Sequence, residues 1–383
     1  MDPENTKFNT NPQYSILSAI QPLIYILQVT GFAIFTVNPT TWKADIKIFN
    51  IFSGIVTIII NVCLHYLFWI SFFDFDIQGT EIVRTALPKL VYSCVFIYFL
   101  GKIFSFFNRQ KIVKFLQKFC ELDEKFKELD IHFDYKSDRA RITHTLILVC
   151  GSIPTISIIA FCIHLRHPVN IDLSMSIFIF FGNTSQFLIT YQIIITMIGV
   201  RRRHAAVNNF LTSKFDQKIS EFQILSEIQF LIVEILEIFN SIYGPVNMMC
   251  VALVFGWHCF STFLIVMMSS VMWMNFTWVC IIHVLMHFVM FSSTVVVIYY
   301  CESAKDEGRK TVKVLYKNLS MADCGLIRER IRSLISQILD TKVEFSCGLV
   351  DFNWKFLFQF LTAAIMYFVI LIQFEASFDK AKN

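Results

Sequence analysis

Seven stretches of this chain are apolar over roughly 20 residues, with ionisable groups only near their ends, which is the length an α-helix needs to cross the hydrocarbon layer of a membrane. They run 49–73, 86–107, 142–165, 173–200, 246–269, 276–300 and 352–374. A backbone in lipid must satisfy its own hydrogen bonds, so the stretches are expected as helices in an all-α, polytopic membrane protein. Lys89, Lys102 and Lys355 sit near span ends, where their stems are expected to snorkel to water. An eighth apolar segment, 16–37, is interrupted by Gln21, Pro22, Gln28, Thr30 and Gly31. It reads as an interfacial helix, with an eighth span as the alternative.

The composition agrees: 55% of the 383 residues are hydrophobic, 42 are Phe and 16% are charged, more apolar than a water-facing globule of this size. The formal charge of +4 is small and its basic residues are segmental, so no nucleic acid is expected as a partner. The N-terminus opens with Asp2 and Glu4 and lacks a basic, cleavable leader, so the first span is expected to serve as the targeting signal. The cysteines lie in apolar or cytoplasmic segments without metal-ligand spacing, which argues against a disulfide framework, a metal site or any cofactor.

Orientation follows the basic residues. Nine Lys or Arg follow the second span between Arg109 and Arg141, Arg201, Arg202 and Arg203 follow the fourth, and nine more follow the sixth between Lys305 and Lys342. Those loops are placed in the cytoplasm, with the N-terminus inside and the C-terminus outside. The alternate loops are short and nearly free of cations; one carries the glycosylation sequon Asn275-Phe276-Thr277. In the basic loops, Ile112, Phe115, Leu116, Phe119, Leu122, Phe126 and Leu129 recur at helical spacing, as do Leu225 to Phe239 and Ile327 to Ile338. Several spans are therefore expected to continue as helices into a packed cytoplasmic layer, with helices lying on the membrane as the alternative.

The chain ends with Phe345-Ser346-Cys347-Gly348, then the last span closing on Tyr367, five apolar residues and Gln373-Phe374. This resembles the insect gustatory receptor signature, in which Thr-Tyr, five mostly apolar residues and Gln-Phe end the last helix after a Phe-Ser-x-Cys-Gly-like entry. Gly31-Phe32-Ala33 and Gly308-Arg309-Lys310-Thr311 resemble further family stretches, before the first span and after the sixth. Met366 replaces the usual Thr, and Phe368 stands where the sugar-sensing branch usually carries Glu. Gly348 and Tyr367 are carried over as structural motif residues.

The resemblance implies a tastant-gated, non-selective cation channel in the plasma membrane of chemosensory neurons, not an enzyme. It implies a homotetramer, or a heteromer with related receptors, in membrane lipid, passing Na, K and Ca ions without a G protein. The corresponding division is a cytoplasmic N-terminus (1–45), a six-helix ligand-binding bundle (46–300), a cytoplasmic anchor (301–351), a pore-lining helix (352–375) and an extracellular tail (376–383). Ile370, Gln373, Phe374 and Glu375 are the expected pore and gate residues; Glu375 would concentrate cations at the outer mouth.

Polar residues in lipid-spanning helices face the bundle interior, so the candidate ligand contacts are Ser157, Asn183 and Gln186, then Trp257, His258, Ser261 and Thr262, and finally His283, Met286 and His287. His283 and His287 share a helix face without carboxylate or Cys support, which favours packing or ligand contact over a metal. A mostly apolar, aromatic pocket suits a bitter compound or plant metabolite. A G-protein-coupled receptor is the main alternative, but it has the opposite orientation and Asp-Arg-Tyr-like and Asn-Pro-x-x-Tyr motifs that this chain lacks. A transporter is a second alternative, without internal repeats or embedded acids in its favour.

Overall fold

The computed structural model describes residues 16–38, 44–73, 96, 99–148, 173–213, 219–269, 277–322, 324–341, 345–346 and 350–382. Almost all of them are helical. The named helices are α1 (Ile16–Val29), α2 (Ile48–Phe73), α4 (Arg109–Glu128), α6 (Leu173–Ser213), α7 (Ile219–Ser269), α8 (Thr277–Met321), α9 (Gly325–Asp340) and α10 (Trp354–Lys382). Helical residues 99–107 and 135–148 are α3 and α5. A two-stranded antiparallel ribbon, β1 (Thr36–Val37) and β2 (Ala44–Asp45), joins α1 to α2.

Three helices are far longer than a span. α6, α7 and α8 have 41, 51 and 45 residues, or about 60 to 75 Å at 1.5 Å per residue, against a hydrocarbon layer of roughly 30 Å. Each joins an apolar half to an amphipathic one; the stripe from Leu225 to Phe239 lies on α7, while those at 112–129 and 327–338 fall on α4 and α9. α7 runs unbroken through Pro245, the boundary between its striped half and its apolar half; Pro there removes one backbone bond that packing replaces. The buried core is concentrated in the amphipathic layer. Phe115, Phe119, Leu122 and Phe126 of α4 and Ile228, Ile232, Ile235 and Phe239 of α7 are all buried, and the two helices pack together. Lys114 and Lys118 pair with Glu234 and Lys125 pairs with Glu227 across the same joint. α9 buries Ile331, Leu334, Ile335 and Ile338 and locks to α7 where the Ser226 hydroxyl donates to Gln337 Oε1 at 2.6 Å.

α1 has 14 residues, about 21 Å, too short for the hydrocarbon layer, and it packs on α4 of the amphipathic layer. The described helix is thus shorter than a span and joins the amphipathic layer. Its last turn ends at Gly31 with φ +81°, and a Cβ there would stand 2.4 Å from Thr57 Cγ2 of α2. Phe32 follows, is buried, and touches the Gly101 position of α3 at 3.5 Å. The Gly-Phe-Ala stretch is thus a wedge between α2 and α3. Gly31→Ala is expected to cost about 2–4 kcal/mol, combining a left-handed backbone with overpacking, read as a lower melting temperature of the solubilised protein. Adding Thr57→Ser should return only the packing part.

One expectation is corrected. Lys102 does not reach water: it is 7% exposed, its ammonium donates to Asn61 Oδ1 at 2.9 Å and it lies 5.7 Å from the centre of the Phe32 ring. A polar partner on α2 and an aromatic face satisfy it where snorkelling does not. Lys355 is exposed, as expected. Lys89, Asn275 and most of spans 2 and 3 lie outside the described residues.

Candidate functional site

Within α10, Trp354–Phe374 is long and apolar enough to cross a membrane, yet only 11% of its apolar stretch is buried. Its inner face is held by aromatic contacts. Leu357 and Phe360 are buried, Phe360 meets Phe255 of α7 at 5.4 Å and His258 at 6.1 Å, both edge-on, and Tyr367 meets Phe255 at 5.5 Å. His258 also meets Phe291 of α8 at 6.0 Å, so one imidazole stands at the junction of α7, α8 and α10. Cys259 Sγ lies 3.8 Å from the Ala364 carbonyl, to which it donates.

The outward face of α10 has a different character. Lys355, Gln359, Thr362, Met366, Ile370, Gln373 and Ser377 recur at three- and four-residue spacing and are all exposed. Polar residues occupy both ends of this stripe and an apolar step, Met366 and Ile370, its middle. Phe374, 58% exposed, lies beside its C-terminal end. The backbone at Glu375 continues α10; its side chain, and residue Gly348, lie outside the described residues. Tyr367 is 54% exposed.

Among the ligand candidates, Trp257 and His258 are half-buried on α7, and exposed Thr262 donates to the His258 carbonyl at 2.8 Å. Asn183 and Gln186 lie on α6, Ser261 on α7, and His283, Met286 and His287 on α8, as helical positions whose side chains are outside the described residues; Ser157 is outside entirely.

A chain of rings connects α10 to the amphipathic layer. Phe360 follows Phe356, Phe352, Phe345 and Phe239 at steps of 5.1 to 6.1 Å, and Phe239 meets Phe115, which meets Phe119. Phe119 carries the guanidinium of Arg203 at 4.8 Å, with Phe133 on that group at 5.2 Å. Arg203 is 3% exposed, donates to Asp123 Oδ1, and Tyr135 donates to the other Asp123 oxygen. Burial works against the Arg203 charge, and Asp123 more than offsets it, so the guanidinium holds its proton more tightly than usual. Burial also pushes the Tyr135 hydroxyl upward.

The sequence reading missed this hub, taking the arginine triplet only as a topology signal. Successive helix residues point about 100° apart, so three adjacent arginines must face three directions. Arg202 pairs with Asp138 of α5, Arg203 with Asp123 of α4, and Arg201 adds to the positive field that helps lower Glu307 of α8. Asp123, four residues after Phe119 and three before Phe126, interrupts the apolar stripe of α4 and was the readable signal.

His204, next along, is wholly buried, neither ring nitrogen has a hydrogen-bond partner among the described residues, and a Cβ at Gly308 of α8 would stand 3.5 Å from the ring. Beside it Asn208 Nδ2 donates to Glu307 Oε1 at 2.9 Å. Burial lowers the His204 pKa to about 4, with Glu307 opposing weakly. A histidine depressed in the folded state takes up its proton first when unfolded, so stability present above about pH 6.5 is lost as pH falls toward 4, to a total of about 3 kcal/mol. Melting temperatures of wild type and His204→Gln should diverge over that window, the variant lacking this part of the acid slope.

A family model described as 7tm Chemosensory receptor matches residues 20–378. The gustatory receptor for sugar taste 43a of Drosophila melanogaster is 29% identical over 108 residues, 28% of this chain; the match spans only 23% of that relative. Among solved structures, the insect olfactory receptor OR5 from Machilis hrabei superposes with a TM-score of 0.66 at 13% identity, over 92% of this chain and 97% of that one. The same receptor in complex with eugenol gives 0.58 at 14% identity over the same shares. At such identity the likeness is one of fold, and it bears out the all-α, many-helix architecture. The resemblance in the terminal helix is likewise borne out by the family match: this chain belongs to the 7tm chemosensory receptor family.

Proposed function

We propose that the chain is a gustatory-type chemoreceptor subunit forming a small-molecule-gated cation channel, with α10 of four copies around a shared pore. The observation that carries this reading is the stripe on α10. Lys355, Gln359, Thr362 and Gln373 form one stripe on the broad surface of the helix that its own subunit leaves uncovered, beside exposed Phe358, Ile365 and Val369, and polar groups directed into lipid are costly. A wall shared with other copies around water removes that cost, and one helix alone encloses no water. Met366, Ile370 and Phe374 then supply a dry constriction between wetted ends, and Gln373 and Glu375 the outer mouth.

The N-terminus is read as cytoplasmic and the C-terminus as extracellular, in the plasma membrane of a chemosensory cell. The ligand is read as a small, mostly apolar plant metabolite held between α6, α7 and α8, with Trp257 and His258 on its inner wall. The OR5 complex with eugenol, a small aromatic, supports an apolar ligand class; the relative named for sugar taste favours a second reading, a sugar. The aromatic contacts of His258 and Phe255 with α10 give the pocket a direct mechanical route to the pore helix.

Current recording from the purified chain in bilayers, against a panel of plant secondary compounds and sugars, tests the reading. Ligand-evoked cation current from particles containing several copies is expected, with the plant compounds active. Solitary particles without current under every ligand would reject the channel. Trp257→Ala and His283→Ala should each abolish the response while surface delivery persists; full sensitivity in both would move the pocket elsewhere.

A further inference from the structure

We propose that the surface made by the start of α2 and the corner between α3 and α4 is a docking site for an acidic phospholipid. Its phosphate is held between Lys47 and Lys111 and its acyl chains lie along Ile48, Phe49 and Phe52. Two contacts fix how these helices run past each other. A Cβ at Gly54 would stand 3.1 Å from Phe106, and Asn61 bonds Lys102, so the register falls on α3 as it rises on α2 and the pair is antiparallel. Lys47 lies seven residues before Gly54 and Lys111 five residues beyond Phe106. Both therefore leave the Gly54–Phe106 contact toward the same end, and β2, which ends two residues before Lys47, packs on α4, the helix that carries Lys111.

Between the two cations and the buried helix pair stands an uncovered apolar band: Ile48 is 87%, Phe49 75%, Phe52 65% and Phe107 73% exposed. Exposed rings with cations just beyond them are the arrangement that a membrane–water boundary selects. Arg109 already behaves this way, its guanidinium lying over the Phe106 ring at 4.9 Å and donating to the Phe106 carbonyl. The charge pattern identifies the occupant further. The next lysines of α4, Lys114, Lys118 and Lys125, are committed to Glu234 and Glu227 of α7. Lys47 and Lys111 are exposed and have no ion pair among the described residues. Two uncommitted cations beside exposed aliphatic and aromatic surface complement a phosphate joined to acyl chains, and the cytoplasmic leaflet, where the basic loops place this end, is the acidic one.

The site rests on reading α2 as a membrane helix and not on the channel, so lipid binding is testable where gating is absent. Folded receptor in nanodiscs of mixed phosphatidylcholine and phosphatidylserine, released and weighed by native mass spectrometry, should retain the acidic lipid over the zwitterionic one by about 25-fold, at roughly fivefold per cation. The Lys47→Gln/Lys111→Gln double variant should lose that preference, and Lys47→Arg/Lys111→Arg should keep it. Lys313→Gln/Lys317→Gln, the same charge change on exposed α8 positions, should leave it intact. No preference in the wild type, or equal loss in the α8 variant, overturns the site. Equal retention of soluble glycerophosphate, which lacks acyl chains, would assign the site to a free phosphate and overturn the lipid.

Discussion

Arg203→Met is expected to be the most damaging single change in the amphipathic layer, lowering stability by about 3–5 kcal/mol because it strands the Asp123 carboxylate in a site that is 6% exposed. A domain of ordinary stability holds about 5–15 kcal/mol in total, so the variant should reach the surface poorly and melt far below wild type after solubilisation. The argument concerns the stranded charge and not the value of the pair. Arg203→Met/Asp123→Leu, which removes both charges, should recover most of the loss, and Tyr135→Phe, which deletes one bond to Asp123, should cost about 1 kcal/mol. Arg202→Met is the informative control: its pair with Asp138 is partly open to water, 35% and 19% exposed, and pairs of that kind are worth about 0–1 kcal/mol. Similar melting curves for Arg202→Met and Arg203→Met would refute the hub. Phe119→Leu should weaken the site modestly, since the guanidinium keeps its carboxylate and loses one of two aromatic faces.

The contrast between those neighbours explains what the sequence made legible. Helices were readable because about 20 apolar residues in succession have few alternative fates: those at 48–73 and 173–213 contain two of the apolar stretches, and that at 354–382 contains most of a third. The amphipathic layer was readable from the stripe of Ile112 to Leu129, because a 3.6-residue period survives amid charged residues. α7 passes unbroken through Pro245, since long-range packing on both sides outweighs one lost backbone bond. Lys102 was misread because the rule for lysines near span ends considers the distance to water and not the offer of Asn61, 41 positions away. The same blindness hid Arg203: its partner lies 80 residues earlier, and composition alone assigns three adjacent arginines one role. In the site, the resemblance singled out Ile370 and Gln373, which share one exposed stripe of α10, whereas the covering of the opposite face by Phe255 and His258 depended on three helices meeting.

Glu375→Gln is expected to reduce ligand-evoked cation current by about tenfold at low ionic strength, with the deficit shrinking as salt rises. In the proposed tetramer, four carboxylates at one outer mouth raise the local cation concentration by their summed potential, an effect of tenfold or more in a charged opening, and screening over about 10 Å at 0.1 M salt erodes it. Gating should be untouched, because the residue lies beyond the apolar step. Phe374→Ala acts on the other part of the device. Removing four rings from a dry constriction lets water enter without ligand, so the variant should conduct at rest and respond less to tastant. Gln373→Leu should do the reverse, extending the apolar stretch that begins at Met366 and Ile370 and holding the channel shut at ligand concentrations that open the wild type. Cysteine substitution along α10 supplies the structural readout. Positions 362, 366, 370 and 373 should be modified by a membrane-impermeant thiol reagent from the water path, in a pattern that repeats every three to four residues and changes at 370 and 373 when ligand is present. Uniform protection of all four, with unaltered current in Glu375→Gln and Phe374→Ala, would place this face against lipid and leave the pore to some other helix.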